Sequence, residues 1–97
     1  MAKGYLVVTY RKINSPEKWG AYAKIAGVAI PKLGGKFIIR GMPVKTYEKG
    51  MNERVVIVEF DSVQKAMAAH DSPEYAEALR ALGDGADRDM RVVEGVA

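Results

Sequence analysis

The sequence contains no cysteine and only one histidine, His70. Without cysteine the chain forms no disulfide bond and has no thiolate nucleophile, and a single imidazole excludes a metal site built from several histidines. The GxGxxG, Walker, HExxH and GxSxG motifs are also missing from the sequence. We therefore predict no metal site and no bound cofactor, and a fold that is stabilised by packing alone.

Long hydrophobic runs are absent as well. No apolar run approaches the ~18 residues that cross a bilayer, and residues 1–12 lack the pattern of a signal peptide. We expect a cytoplasmic protein with no membrane partner.

A length of 97 residues with 48% hydrophobic residues indicates one domain, 1–97. Because a chain of this size buries only about 60–65% of its extended surface, a partner chain would stabilise it.

Charge is divided unevenly between the two halves of the chain. Residues 1–49 carry ten Lys and Arg against two acids, whereas residues 50–97 carry five against ten. Complementary halves favour packing on each other, or on a second copy, over a single basic stripe that follows a phosphate backbone. No nucleic-acid partner is therefore predicted, despite a net charge of +3.

Several short ranges have the composition of strands, because they are rich in β-branched and aromatic residues and are bounded by Gly, Pro or Asn. The predicted strands are 4–11, 36–40, 44–48, 54–60 and 89–94.

Two Ser-Pro-Glu triplets, beginning at Ser15 and Ser72, have the composition of helix starts. Serine caps the first turn, proline is tolerated at the first helical position, and glutamate faces the positive end of the helix dipole. Asn14 is the alternative cap of the first helix. A further helix is expected to begin at Asp61 or Ser62, and Pro31 should kink or break the first helix near its end.

Apolar residues recur at helical spacing in each predicted helix, which indicates one buried face per helix. The predicted inward residues are Trp19, Tyr22, Ala26, Ala29, Ile30 and Leu33, then Val63, Ala66, Met67 and His70, and finally Tyr75, Leu79 and Leu82.

The order strand, helix, strand pair, helix, strand predicts an α+β, ferredoxin-like βαββαβ fold, with an antiparallel sheet and its helices on one face. Such a sheet should alternate apolar and polar residues, but range 54–60 has Val55 and Ile57 on one face and Val56 and Val58 on the other. Because the helices cover one face only, we predict a homodimer through the open sheet face.

Five segments together resemble a known family. They are 34–37 (GGKF), 40–41 (RG), 54–60 (RVVIVEF), 71–75 (DSPEY) and 86–89 (ADRD). Over almost the whole chain the sequence is similar to the family known as domain of unknown function 1330. The resemblance implies a dimeric α/β barrel, which small cofactor-free monooxygenases, muconolactone isomerases and dye or haem oxygenating proteins share. It also implies a pocket between sheet and helices in each protomer.

His70 and Arg40 are the candidate catalytic residues. His70 ends a helix on its predicted inward face, where an imidazole could act as acid or base near neutral pH. A histidine that is merely hydrogen-bonded beside a helix break is the alternative. Arg40 ends an apolar strand and could direct its charge inward, where it could bind the carboxylate of a small ligand.

Six further residues are candidates for ligand binding, because they combine aromatic surface with charge. They are Tyr5, Trp19, Tyr22, Glu59, Tyr75 and Arg88. The alternative is that the aromatic residues form ordinary core. The charged residues Arg40, Glu59, Arg54, Arg88 and Asp89 could likewise pair with one another, since buried charges need partners.

Two functions are consistent with the sequence. The first is a homodimer that binds a small anionic or aromatic molecule, with cofactor-independent oxygenase or isomerase activity. The second is a non-catalytic structural or interaction protein whose polar residues satisfy helix ends and the dimer interface.

Overall fold

Four strands and three helices make up the fold of the computed structural model, which describes residues 2–96. In chain order the elements are β1 Gly4–Ile13, α1 Pro16–Lys32, β2 Lys36–Gly41, β3 Val55–Phe60, α2 Val63–His70, α3 Pro73–Leu82 and β4 Ala86–Glu94. No helix in this part of the chain has both the length and the apolar character needed to cross a membrane.

The strands form one antiparallel sheet in the order β2-β3-β1-β4. The helix α1 connects β1 to β2, and β3 lies between these two strands in the sheet. The helices α2 and α3 connect β3 to β4, and β1 lies between those two. This confirms the predicted ferredoxin-like fold with its helices on one face of the sheet. Because basic and acidic halves alternate across the sheet, ion pairs such as Lys3–Glu59 and Arg11–Asp89 join the two halves, at 3.8 and 3.5 Å.

The helix starts follow the sequence prediction. The side chains of Ser15, Ser62 and Ser72 accept hydrogen bonds from backbone N–H groups three residues later, at Lys18, Lys65 and Tyr75. Asn14 is therefore not the cap of α1. The side-chain amide of Asn14 instead donates to the carbonyl of Asp84 over 3.1 Å, which ties the start of α1 to the turn before β4.

Pro31 lies inside the last turn of α1, and the helix ends one residue later at Lys32. Gly34 follows with a φ of +92°, a left-handed conformation that glycine adopts without strain. The first helix therefore ends just before the Gly34–Gly35 pair.

Two predictions of local structure are wrong. Range 44–48 is not a strand, because no strand pairs with it and Val44 and Tyr47 are 103% and 75% exposed. A turn closed by the N–H of Gly50 and the carbonyl of Tyr47 follows instead. Met67 was expected to point inward but is 44% exposed, and Ala69 takes the buried position on α2.

The hydrophobic core lies between the sheet and the helices. Alternate residues of β1 and β3 supply its sheet side, and all three helices supply the other. The buried members from the two strands are Leu6, Val8, Tyr10, Val56, Val58 and Phe60. With principal extents of 36 × 34 × 16 Å, the fold is only two layers thick, so the second sheet face has no helix over it.

We call this second surface the open face. Its apolar members share one side of the sheet by strand alternation and by direct cross-strand pairing. They are Tyr5, Val7, Ile39, Val55, Ile57 and Val93. All six are at least partly exposed in the single chain. The apolar character predicted for both sheet faces is therefore present.

Candidate functional site

A cleft lies between α1 and the helix-facing side of the sheet, and α3 closes part of it through Tyr75. Apolar and aromatic side chains form most of its lining. The lining residues are Leu6, Val8, Tyr10, Trp19, Tyr22, Ala23, Ala26, Gly27, Ile30, Phe37, Arg40, Arg54, Val56, Val58 and Tyr75. The free volume inside the cleft is about 50 Å³.

Two guanidinium groups, those of Arg40 and Arg54, are the charged groups of the cleft lining. Arg40 lies over the ring of Phe37 at 4.5 Å and Arg54 over the ring of Trp19 at 5.1 Å, measured from the guanidinium carbon to the ring centroid. Strand register explains their common direction. Arg40 pairs with Val56 across the sheet, and Arg54 precedes Val56 by two residues, so all three face the helices.

Three tyrosine hydroxyls and the indole N–H of Trp19 supply the other polar side-chain atoms of the cleft. The indole N–H of Trp19 donates to the hydroxyl of Tyr10 over 3.0 Å. The hydroxyls of Tyr22 and Tyr75 are 2.6 Å apart, and Arg88 donates to the Tyr22 hydroxyl over 2.9 Å. Buried hydroxyls need such partners, and these bonds fix the ring positions.

Arg88 is placed by β4 beside two tyrosine rings. The register pairs it with Tyr10, so that it faces the helix side of the sheet. Its guanidinium carbon is 4.7 Å from the ring centroid of Tyr22 and 5.7 Å from that of Tyr10. Arg88 is not part of the cleft lining, and it contacts the cleft through Tyr22.

The pKa of Tyr22 is raised well above its ordinary value. Burial is the main cause, since the phenolate would lose its hydration, and the neighbouring hydroxyl of Tyr75 acts in the same direction. The opposing charge of Arg88 lowers the pKa and only partly offsets these effects. Tyr22 therefore remains a neutral phenol, with a proton to donate, throughout the physiological pH range.

This raised pKa predicts a loss of stability at alkaline pH. The folded state keeps a proton on Tyr22 that the unfolded state releases above the ordinary pKa of 10.0, so the free energy of unfolding should fall as pH rises beyond that value. Urea unfolding between about pH 9 and 11.5 measures the slope, and Tyr22→Phe should reduce it by an amount that approaches about 1.4 kcal/mol per pH unit only above about pH 11. Tyr47→Phe, which removes an exposed hydroxyl, is the control, and equal slope changes in both variants would contradict the prediction.

The structure brings four of the predicted site residues into one cleft: Arg40, Trp19, Tyr22 and Tyr75. Two others, Tyr5 and Glu59, lie on the open face, where the Tyr5 hydroxyl donates to the Glu59 carboxylate over 3.1 Å. The sheet therefore separates these two from the cleft.

His70 lies beside the cleft and is not part of its lining. Its Nδ1 is 3.1 Å from a carboxylate oxygen of Asp71, its side chain is 37% exposed, and its ring centroid is 5.4 Å from that of Tyr75. Leu6, Ile30 and Tyr75 border both the imidazole and the cleft, and so stand between them.

The alternative that the charged candidates pair with one another is not seen in residues 2–96. Glu59 binds Tyr5 and Lys3, and Asp89 binds Arg11 and Arg91. These acids face away from the helices, whereas Arg40 and Arg54 face them. Within residues 2–96 neither of these two arginines forms a salt bridge with a carboxylate.

Sequence reasoning missed Tyr10 and did not select Arg54 as a site residue. Both follow from strand alternation, because Tyr10 continues the inward series of Leu6 and Val8, and Arg54 precedes the inward series that begins at Val56. Residues 2–96 contain no group of three or more His, Asp or Glu side chains that lie close enough together to hold a metal ion.

Solved structures share this fold at low sequence identity. A protein of unknown function from Rhodopseudomonas palustris is 20% identical with a TM-score of 0.71, and the match covers 99% of this chain and 84% of that one. SnoaB from Streptomyces nogalater, a cofactor-independent oxygenase, is 10% identical with a TM-score of 0.67, over 100% and 96% of the two chains. A dimeric ferredoxin-like protein of unknown function from Thermobifida fusca is 18% identical with a TM-score of 0.63, over 98% and 92%.

A search of curated proteins finds no match to this sequence. The model of one protein family, described as Domain of unknown function (DUF1330), matches residues 3–96, which is nearly the whole chain. The resemblance inferred from the five sequence segments is thereby confirmed. The chain belongs to the DUF1330 family.

Proposed function

We propose that this protein is a homodimer in which each protomer binds a small molecule with an aromatic or apolar body and an anionic group. The observation that supports this most directly is the pair Arg40 and Arg54, two guanidinium groups on one apolar cleft without carboxylate partners in residues 2–96. A guanidinium binds a carboxylate through two parallel N–H donors, and a second guanidinium strengthens the attraction.

The rest of the lining supports an aromatic or apolar body for the ligand. Trp19, Phe37 and Tyr22 offer ring surfaces, and aliphatic residues cover the floor of the cleft. The lining contains no Asp or Glu that would repel an anion. Pockets for small ligands commonly combine such an apolar lining with a few directed polar groups.

The cleft has to widen to accept a ring. Its free volume of about 50 Å³ is far below the ~150 Å³ of a cavity that takes benzene. Arg54 and Trp19 are in a position to move, because their stacking at 5.1 Å is an interaction that a ligand carboxylate can replace. Trp19 is the only tryptophan of the chain, so its fluorescence should report binding.

The open face is the proposed dimer interface. Its apolar side chains lie opposite the helix layer, and a second sheet packed on them would bury them from water. The related protein from Thermobifida fusca is described as dimeric, which supports the same assembly here. The Tyr5–Glu59 pair would lie within or beside this interface.

The activity that we propose to test is cofactor-independent oxygenation or isomerisation of the bound molecule. SnoaB, which has the same fold, is a cofactor-independent oxygenase. At 10% identity the similarity shows a shared fold and does not show a shared activity. The cleft lining has phenols and guanidinium groups and no imidazole or carboxylate to act as a base. Oxygen uptake and product analysis with each ligand that binds would test this part of the proposal.

Binding should depend strongly on the two cleft arginines. We expect benzoate and 2-naphthoate to bind more tightly than benzamide and 2-naphthamide, because only the carboxylates pair with Arg40 and Arg54. The double variant Arg40→Gln/Arg54→Gln should weaken carboxylate binding at least about 30-fold, for the loss of two charge-assisted bonds. Titrations followed by Trp19 fluorescence and calorimetry measure the dissociation constants.

Arg80→Gln is the matched control, because Arg80 is exposed on α3 and lies outside the cleft lining. It should leave the dissociation constants unchanged. If none of the four compounds binds to the wild-type protein at millimolar concentration, or if Arg80→Gln weakens binding as much as the double variant does, the proposal fails. The non-catalytic alternative would then be favoured.

A further inference from the structure

A chain of hydrogen bonds runs from Arg88 through Tyr22 to Tyr75. The guanidinium of Arg88 donates to the Tyr22 hydroxyl over 2.9 Å, and the hydroxyls of Tyr22 and Tyr75 are 2.6 Å apart. Tyr22 is 7% exposed and Tyr75 is 1% exposed, so water does not compete freely for these groups. Both tyrosines line the cleft, whereas Arg88 stands behind them.

The direction of this chain follows from the donors available. A guanidinium has five N–H donors and no acceptor, so the bond from Arg88 must end on the Tyr22 oxygen. An oxygen that accepts a charge-assisted bond becomes a stronger donor itself, because each bond polarises the next. This polarisation favours the arrangement in which Tyr22 donates to Tyr75, so that the remaining hydroxyl hydrogen belongs to Tyr75.

That last hydrogen has no acceptor among residues 2–96. The Tyr75 hydroxyl makes one side-chain hydrogen bond, to Tyr22, while the backbone N–H of Tyr75 donates to the hydroxyl of Ser72. A buried hydroxyl hydrogen without an acceptor costs free energy unless a water or a ligand accepts it. Because Tyr75 lines the cleft, an oxygen atom of a bound molecule can serve as that acceptor.

We propose that the Tyr75 hydroxyl, oriented and polarised by Arg88 through Tyr22, donates a hydrogen bond to a second oxygen atom of the bound molecule. Arg88 is then a positioning residue and Tyr75 the ligand contact. This inference rests on the proposed function and makes it more specific, because the preferred ligand is an aromatic carboxylate that also has a carbonyl or phenolate oxygen away from its carboxylate.

The sheet order supports two separate oxygen sites. Arg40 lies on the edge strand β2, and Arg88 lies on the opposite edge strand β4. The backbone N–H of Tyr10 bonds to the carbonyl of Arg54 on one side, and β1 register pairs Tyr10 with Arg88 on the other. A ligand that spans the cleft thus has its carboxylate towards β2 and β3 and its second oxygen towards the tyrosine pair.

Two probes of nearly the same shape test the proposal, 4-acetylbenzoate and 4-isopropylbenzoate. Both have the carboxylate, but only the acetyl compound has an acceptor oxygen at the far end. With the wild-type protein we expect 4-acetylbenzoate to bind about tenfold more tightly, because its carbonyl satisfies the Tyr75 hydroxyl and the isopropyl group leaves it unpaired. Calorimetry and Trp19 fluorescence measure both dissociation constants.

Three variants assign this selectivity to the chain of hydrogen bonds. Tyr75→Phe should bring the ratio of the two dissociation constants to about one, and Arg88→Met should reduce it to about threefold, because the hydroxyl persists but is less polarised. Arg88→Lys should restore most of the ratio. Tyr5→Phe, which removes a hydroxyl from the open face, is the matched control and should keep the wild-type ratio.

The outcomes separate this inference from the function on which it rests. If both probes bind equally well to the wild-type protein, or if Tyr75→Phe keeps the tenfold ratio, the Tyr75 proposal is overturned while anion binding stands. An unchanged ratio in Arg88→Met would overturn the positioning role of Arg88. If neither probe binds to the wild-type protein, both the inference and the proposed function are overturned.

Discussion

Ile57→Lys is expected to convert the proposed dimer into a monomer. Ile57 lies in the middle of the open face, directly opposite Val7 on β1 and Ile39 on β2. In a two-fold dimer each substitution occurs twice, so two ammonium groups would be buried against apolar side chains without partners. We expect the dissociation constant of the dimer to rise at least about 1,000-fold, which corresponds to ~4 kcal/mol.

Analytical ultracentrifugation at micromolar concentration measures this change. The wild-type protein should sediment at twice the mass of the 10.6 kDa chain, and Ile57→Lys at the mass of one chain. Val28→Lys is the control, since Val28 is 58% exposed on α1, away from the open face, and its substitution should keep the dimer. A wild-type monomer, or an Ile57→Lys protein that stays dimeric, would contradict the proposed interface.

Gly4→Ala is expected to destabilise the protein strongly. A Cβ atom at Gly4 would overlap the backbone of Ser62 and Val63, where β1 passes the start of α2. Backbone atoms cannot move aside as a side chain can, so strand and helix would have to separate. We expect a loss of about 3 kcal/mol in the free energy of unfolding, or about 10–20 °C in Tm.

Gly20→Ala provides a matched control with the opposite sign. Gly20 lies inside α1, and a Cβ there would meet no atom within 4 Å. Alanine should therefore raise the free energy of unfolding by about 0.5–1 kcal/mol, through the higher helix propensity of alanine. Urea unfolding of both variants at one protein concentration makes the comparison. A similar loss in both would show that the close approach at Gly4 is not the cause.

The helix starts were predictable because their signals are local. Ser15, Ser62 and Ser72 each bond to an N–H only three residues away, so the residues that decide the cap are adjacent in the sequence. The error at 44–48 has the opposite origin. A strand forms only where a neighbouring strand pairs with its backbone N–H and C=O groups, and the composition of a range does not show whether such a neighbour exists. Among residues 2–96, β2 pairs only with β3, so range 44–48 has no strand beside it.

The candidate site was partly predictable for a related reason. Helical spacing directed Trp19, Tyr22 and Tyr75 inward, and the structure brings them to one cleft. Glu59 and Arg40 were expected to share an interior, but the faces of two different strands are related only through their register. That register puts Arg40 beside Val56 on the helix side, and it puts Glu59 beside Tyr5 on the open face.

The amino-acid sequence by itself determined the order of the elements, the family, the helix caps and the apolar character of both sheet faces, because these depend on neighbouring residues and on periods of two or three to four residues. Only the tertiary structure decided which charges meet. It brought Arg40 and Arg54 to one cleft, kept His70 outside it, and joined Arg88 to residues more than 60 positions away along the chain, such as Tyr22. The physical reason is that strand register and layer packing set these distances, and both arise from contacts between segments that are remote in sequence.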